Sequence, residues 1–426
     1  MNSNDSSQGD KMIQQRFGDK ERYICYLLFI LDPVITWLRI PGHFALVSAI
    51  FVLFGLYYSL TKDFRNLLKT TPLVVWLVLT LYHCFNAMAK GVLEVDAVDV
   101  LHGLKIYFCI AIFIYWAQID LLKTVEILYR CFFIYLIVCF FVCGGLLLDG
   151  ARLSGAIYAT QLGQFAATTA FFGAVLCFFK SKNNIAFSMY LLVPFFITLL
   201  TQSRNSVAML TVIVVGYFLA NRLKRGFDIF GVFKLAFVFL FGLGLLAVVI
   251  MNSSLYERAL DSTDKNLNSY YLKKNATNTV FDKIAGDRLI YYVEGWKFFK
   301  RNPLTGIGMW GFKQKFGGDY PLHSEYMIHL CEGGVVGFSL WVFFLSCCVK
   351  NMKTLKLVPG YRLLLFFGLF EYLFCGIYAR EFYYEFFYPM ISLFLVDFQK
   401  IRNQFVVVTI PPKMGDVGCC EKISYE

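Results

Sequence analysis

The stretch Pro321–Cys348, "PLHSEYMIHLCEGGVVGFSLWVFFLSCC", decides how the chain is read. It sets His323, Ser324 and Glu325 side by side and then runs from Gly333 to Cys348 without a charged residue. A bilayer-spanning helix needs about 20 predominantly apolar residues, so the triplet stands where such a helix meets water. Ionisable side chains at a membrane edge are costly unless they are partnered or put to use. The triplet is therefore the first candidate for a functional site.

Composition extends this reading to the whole chain. Of 426 residues, 58% are hydrophobic and 16% charged, and the mean hydropathy is +0.59, outside the range of soluble domains. The expected class is an all-α integral membrane protein. A formal net charge of +11 would suggest nucleic acid in a soluble chain, but here it reflects basic residues gathered in loops on one side, and no nucleic-acid partner is expected. Nearly all of the 13 cysteines fall inside apolar runs and none forms a CxxC, so they read as small buried hydrophobes. The polar start, "MNSNDSSQGDKMIQQRFGDKER", lacks the apolar core of a signal peptide.

At about 20 residues per span the sequence predicts about twelve transmembrane helices. They run near Tyr23–Leu38, His43–Leu60, Pro72–Ala89, Val100–Trp116, Ile127–Leu148, Tyr158–Phe179, Ile185–Leu200, Ser206–Ala220, Phe230–Met251, Ser324–Val349, Tyr361–Tyr378 and Phe382–Phe398. In the first, Asp32-Pro33 leaves open a broken or re-entrant pair. With the N-terminus cytoplasmic, one set of loops holds most of the lysines and arginines, and the opposite short loops hold little beyond Arg39, Lys90, Arg152, Arg204 and Arg380. The positive-inside rule then puts both termini inside. The expected organisation is a cytoplasmic tail over 1–22, helices one to nine over 23–251, an outer (periplasmic) loop domain over 252–322, helices ten to twelve over 323–400, and a cytoplasmic tail over 401–426.

That orientation gives the few outer cations a meaning. Arg152 in "DGARLSG", Arg204 in "TQSRNS" and Arg288 in "GDRLIYY" lie at or near the outer boundary, with His323 beside them. Any one could be an interfacial anchor snorkelling to headgroup phosphates. Together, the planar donor forks of two or three arginines suit the oxygens of a diphosphate. An imidazole, with an ordinary pKa of about 6.5, suits a base acting on a hydroxyl beside that clamp. Near the end of the loop, Asp287 is a candidate N-cap for a helix that places Leu289, Tyr292, Val293, Trp296 and Phe299 on one apolar face. Such a helix can lie on the outer leaflet, cover a cavity or pack against the bundle.

The pieces "LLTQSRNSVAML", "GDR" with its amphipathic helix, the turn "NPLTGIG" and "HSEYMIHLCEGGVVG" together resemble the O-antigen ligase and polymerase superfamily. His323-Ser324, nine residues, Gly334, two residues and Gly337 are similar to the His-[Asn/Ser/Gln]-x9-Gly-x2-Gly signature of the O-antigen ligases. Phe338-Ser339 follow where some ligases carry threonines. The resemblance implies a membrane glycosyltransferase without a nucleotide-sugar site. Its donor would be a polysaccharide on undecaprenyl diphosphate and its acceptor a sugar hydroxyl of lipid A-core, both met at the periplasmic face of a Gram-negative inner membrane. It also implies that Arg204 and Arg288 hold the diphosphate, that His323 orients or deprotonates the acceptor hydroxyl with inversion at the sugar, and that neither metal nor other cofactor is needed. Nothing in the sequence resembles a DxD or other carboxylate metal pair.

Other candidates carry less. "GIG" at Gly306–Gly308 follows Pro303 and no Rossmann-type strand, so it reads as a turn. His83 and His102 lie in or beside apolar helices, where a satisfied core histidine is the commoner case. Glu325 points away from His323 and could face a cavity, Glu332 reads as structural, and Arg380-Glu381 could pair with each other or touch a sugar. Arg152 is a further candidate glycan or phosphate contact. A polymerase uses the same donor but a second carrier-linked glycan as acceptor, and polymerases of the superfamily often have two sizeable outer loops where this chain has one. A transporter or flippase would also fit twelve helices, but no internal repeat is evident and the polar candidates gather at one face, not at the midplane.

Overall fold

A computed structural model describes residues 23–24, 43–92, 97–143, 159–180, 184–201, 203–225, 288–316, 322, 324–353, 359–376 and 387–397. Among the described residues the regular structure is entirely helical. The helices are α1 (His43–Tyr58), α2 (Lys62–Leu68), α3 (Thr71–Ala89), α4 (Ala97–Ile119), α5 (Leu121–Cys143), α6 (Ala159–Lys180), α7 (Asn184–Leu200), α8 (Arg204–Arg225), α9 (Arg288–Arg301), α10 (Gly311–Phe316), α11 (Glu325–Met327), α12 (Gly334–Lys353), α13 (Pro359–Gly376) and α14 (Phe387–Leu395). A π-helical turn, Ile328–Glu332, joins α11 to α12.

Among the described residues five helices are long and apolar enough to cross a membrane: most of α3, α4, α6, α8 and α12. The pair α1–α2 would add a sixth, bent by 117° at the break. The chain is thus a multi-pass membrane protein. Of the segments expected from sequence, the first and ninth spans, most of the loop over 252–322 and both tails lie outside the described residues. The second continues past its break into α2, and the seventh, α7, carries Pro194 in its interior. The tenth departs from expectation in kind. In place of one helix from Ser324, the chain makes a single turn, a π turn and then α12. The cause is the pair Gly333-Gly334, where Gly334 takes φ 64°, a left-handed value that breaks a continuing helix.

Two groups of helices pack side by side. One comprises α5, α6, α7, α8 and α13; the other comprises α1, α3, α4, α12 and α14. The centre of the first is α6, whose apolar span is 94% buried, whereas that of α12 is only 28% buried and leaves a broad lipid-facing surface. Between helices the contact is made by aromatic rings and by glycines that admit them. Phe171 of α6 occupies the notch at Gly368 of α13, where a Cβ would lie 2.6 Å from its ring. The register is antiparallel for α8 against α13 and for α3 against α12: Gly216 faces Phe367, and Trp76 meets Phe344 with ring centroids 4.6 Å apart. Consequently Lys62, Arg65, Lys123, Arg130, Lys180, Arg222, Lys350 and Lys353 all lie towards one end of the bundle. There Glu126 of α5 ties Arg130 on its own helix to Lys180 of α6. The first residues of α8, α9 and α11 lie at the other end. The described cysteines are free thiols, among them Cys84, Cys109, Cys177 and Cys348, all buried.

Candidate active site

At the end away from the basic cluster, short segments far apart in sequence are stitched together by backbone hydrogen bonds. The turn after α9, "NPLTGIG", lies against the π turn: Ile307 N–H donates to the Cys331 carbonyl and Gly308 N–H to that of Glu332, each at 3.0 Å. The return bonds run from Val335 N–H to the Pro303 carbonyl at 2.8 Å and from Val336 N–H to Leu304 at 3.1 Å. From α3, Asn86 donates its amide to the Thr305 and Glu332 carbonyls at 2.6 and 3.2 Å, and the Tyr82 hydroxyl donates to the Gly333 carbonyl at 2.7 Å. The Val335 and Val336 N–H groups, which the first turn of α12 leaves unbonded within the helix, are thus satisfied by the turn, and α3 clamps both.

This interlock explains the glycine signature. A Cβ on Gly334 would lie 2.4 Å from the Leu304 carbonyl oxygen, and one on Gly306 2.5 Å from the backbone of Glu332. Gly337 faces the rings of Tyr82 and His83 at 3.2 and 3.4 Å. The spacing that reads as a family motif is therefore, at Gly334, a requirement of backbone approach and, at Gly337, one of room for the rings of α3. The turn expected at Gly306–Gly308 is found, with positive φ at both glycines.

The segment that carries the polar triplet is anchored on both sides. Ser324 is fully buried. It receives a hydrogen bond from the Tyr292 hydroxyl of α9 at 3.0 Å and donates to the Gly376 carbonyl at the end of α13 at 3.3 Å. Ser324 holds the N-cap position of α11, but its side chain makes no cap bond and serves instead as a three-way junction. Tyr292 lies one turn beyond Arg288, and the antiparallel packing of α8 on α13 sets Arg204 at the same end as Gly376. The backbone at Arg204, at Arg288 and next to His323 is brought to one end of the bundle. The side chains of Arg204 and Arg288, and His323, Arg152 and Arg380 entirely, lie outside the described residues. Beside the start of α8, Ser203 and Ser206 share a hydrogen bond of 2.8 Å, and Thr201 and Gln164 are buried nearby.

Glu325 does not line an open cavity. It is fully buried, and its Oε1 accepts from His329 Nε2 at 3.0 Å. His329 Nδ1 in turn lies 3.0 Å from His83 Nε2 on α3, and the Trp341 indole stacks on the His329 ring at 5.1 Å and 24°. Sequence reasoning passed over His329 and treated His83 as core. The signal available was the four-residue spacing of Glu325 and His329, which puts both on one helical face, together with a histidine inside an apolar helix.

The amphipathic helix is found as α9, and it packs through Tyr292 of the expected apolar face together with Gly295 and Phe298. Tyr292, Gly295 and Phe298 turn inward, where a Cβ on Gly295 would touch Met327 at 2.7 Å, and Phe298 meets Phe312 at 5.7 Å. Val293 and Trp296, also of the expected apolar face, remain 46% and 45% exposed. The glycine lets α11 approach along its own side of the helix.

Fold and site together define a helical membrane protein with a polar, interlocked centre at one end of its bundle. Residues 189–342, from α7 into α12, match the family model described as O-antigen ligase. That match supports a membrane transferase of the O-antigen ligase and polymerase superfamily. No curated protein matches the chain.

Proposed function

We propose that this chain is an O-antigen ligase. It transfers a polysaccharide from undecaprenyl diphosphate to a sugar hydroxyl of lipid A-core, at the periplasmic face of a Gram-negative inner membrane. On this reading it spans the membrane about twelve times, with tails over 1–22 and 401–426 in the cytoplasm, helices over 23–251 and 323–400, and the loop domain over 252–322 in the periplasm. The observation that supports it most is the junction at Ser324, where α9 and α11, both inside the segment that matches the ligase family, meet the end of α13. That junction holds the starts of α9 and α11 at the end of the bundle where α8 also begins, as a reaction between two lipid-borne substrates requires.

The roles follow from the chemistry. Arg204 and Arg288 hold the donor diphosphate through paired N–H donors and offset the charge that builds on it as the sugar–phosphate bond breaks. Arg152 and Arg380 contact the glycan or phosphate from flanking segments. His323 accepts the proton of the acceptor hydroxyl as its oxygen bonds to the anomeric carbon from the face opposite the leaving group. Undecaprenyl diphosphate departs and the anomeric configuration inverts, with no metal required.

Deletion of the gene tests the assignment. A ligase predicts free lipid A-core with glycan accumulating on its carrier, whereas core bearing a single repeat unit would identify a polymerase. Arg204→Lys and Arg288→Lys keep the charge but lose the fork. At normal protein levels each should slow transfer by about 100-fold, the scale for removing one preorganised donor. Normal transfer by both variants would make these arginines interfacial anchors.

A further inference from the structure

We propose that the exposed stripe of α9 binds the headgroups of acidic phospholipid in the outer leaflet and so seats the motif end of the bundle on the membrane surface. The stripe is on the side of the helix turned away from Gly295 and Phe298. Val293, Trp296, Lys297 and Lys300 recur along it at helical spacing, and Leu304 follows within three residues of the helix end. Leu304 is 71% exposed, more open than Val293 or Trp296. Large apolar side chains set among cations on one open face are what a helix lying in a membrane interface presents. The neighbouring helix shows what lies against them. The Leu304 carbonyl accepts from Val336 N–H at 3.1 Å, so the turn after α9 runs beside the first turn of α12. There Val335 and Val336 are 46% and 41% exposed, on a helix long and apolar enough to cross the membrane. The stripe is thus continuous with a lipid-facing surface. Three residues of chain span at most about 11 Å, which keeps Arg301 within reach of the polar layer that flanks the ~30 Å hydrocarbon core.

Charge selects the lipid. Of the three cations near the end of α9, Lys297 is tied to the Glu294 carboxylate at 2.6 Å. Lys300 and Arg301 pair with no carboxylate among the described residues. The Lys300 ammonium sits 5.8 Å from the centre of the Trp296 ring, and the Phe299 ring flanks that indole at 5.1 Å. An indole with a cation beside it suits the level where acyl chains meet headgroups, the ring towards the chains and the ammonium towards phosphate. The Arg301 fork matches the two free oxygens of a phosphodiester. A zwitterionic lipid brings its own cation into the same space, whereas at a surface of net negative charge each Lys or Arg adds attraction. A second copy of the chain is the poorer occupant, because a two-fold pairing would set Lys300 and Arg301 against their own kind. The opposite face of α9 reaches the motif end, where the Tyr292 hydroxyl bonds Ser324 at 3.0 Å and a Cβ on Gly295 would lie 2.7 Å from Met327. With lipid on one face and the Ser324 junction on the other, α9 sets the height of that junction at the bilayer surface.

The test uses the full-length chain in nanodiscs of phosphatidylethanolamine and phosphatidylglycerol in known ratio, with lipid A as a minor third lipid. A photo-crosslinking residue, p-benzoylphenylalanine, is placed at Leu304 and the lipid it captures is weighed by mass spectrometry. The same residue at Phe343, half exposed in the middle of α12, reports the bulk lipid. Phosphatidylglycerol should be captured at Leu304 well above its share at Phe343. Lys300→Gln combined with Arg301→Gln should elute normally on size-exclusion chromatography and cut that enrichment at least about fivefold, the scale for one cation at an acidic surface. Raised salt should weaken the enrichment in the wild type. An equal share at the two positions, or an enrichment that survives the double variant, would overturn the proposal. Preferential capture of lipid A would make the stripe a glycolipid site and overturn the choice of occupant, and the absence of any lipid adduct at Leu304 would put the stripe in water. None of these readouts needs glycan transfer, so the proposal stands or falls apart from the transferase reading.

Discussion

Two glycines, Gly334 at the motif end and Gly368 in the middle of the bundle, show how differently the two regions are built. At Gly368 the approaching group is the Phe171 ring, a side chain that can tilt when pushed. At Gly334 it is the carbonyl of Leu304 and the N–H of Gly306, backbone atoms already committed to hydrogen bonds. The bundle interior is fitted by volume, and its parts can yield. The motif end is fitted backbone to backbone with directed bonds, and it cannot yield without breaking several of them. A site that must hold reacting groups in fixed geometry gains from the second kind of construction.

Substitutions can break this comparison. Gly334→Ala meets backbone at 2.4 Å and also forces a left-handed residue. It should cost more than the ~1–3 kcal/mol of backbone strain alone, seen as little folded protein on size-exclusion chromatography in detergent. Phe171→Ala opens a cavity in the core. It should cost about 3 kcal/mol, the low end of the large-to-small range, because neighbours relax and lipid removes the transfer term; a lower thermal midpoint with normal elution would show it. Ser324→Ala removes one junction hydroxyl and should cost about 1 kcal/mol, with transfer slowed through loosening of α11. If Gly334→Ala proves milder than Phe171→Ala, the account of the motif end as a rigid backbone lattice fails.

Much of this was legible in the sequence. Hydropathy marked the described spans, and Pro303 with Gly306 and Gly308 marked the turn. The family-like spacing pointed to the right segment, which the match over residues 189–342 bears out. What the sequence hid were effects of neighbours distant in the chain. The break at Gly333-Gly334 is matched by the turn after α9, whose Pro303 and Leu304 carbonyls accept the N–H groups of Val335 and Val336. The inward face of α9 is chosen by Gly295 against Met327. His83 looked like an ordinary core histidine because its partner, His329, lies 246 positions away. Ser324 fits a cap by type and position, yet its hydroxyl donates to the Gly376 carbonyl of α13 and caps nothing.

The most direct measurement is glycan transfer by purified wild-type chain and His323→Ala, with carrier-linked polysaccharide, lipid A-core and EDTA, the product weighed by mass spectrometry. The wild type should yield lipid A-core extended by the whole polysaccharide. His323→Ala should fold and bind donor normally while transferring at least about 100-fold more slowly, the scale of a lost general base. Near-normal product from His323→Ala, or a wild type that transfers only when divalent metal is added back, would contradict the account.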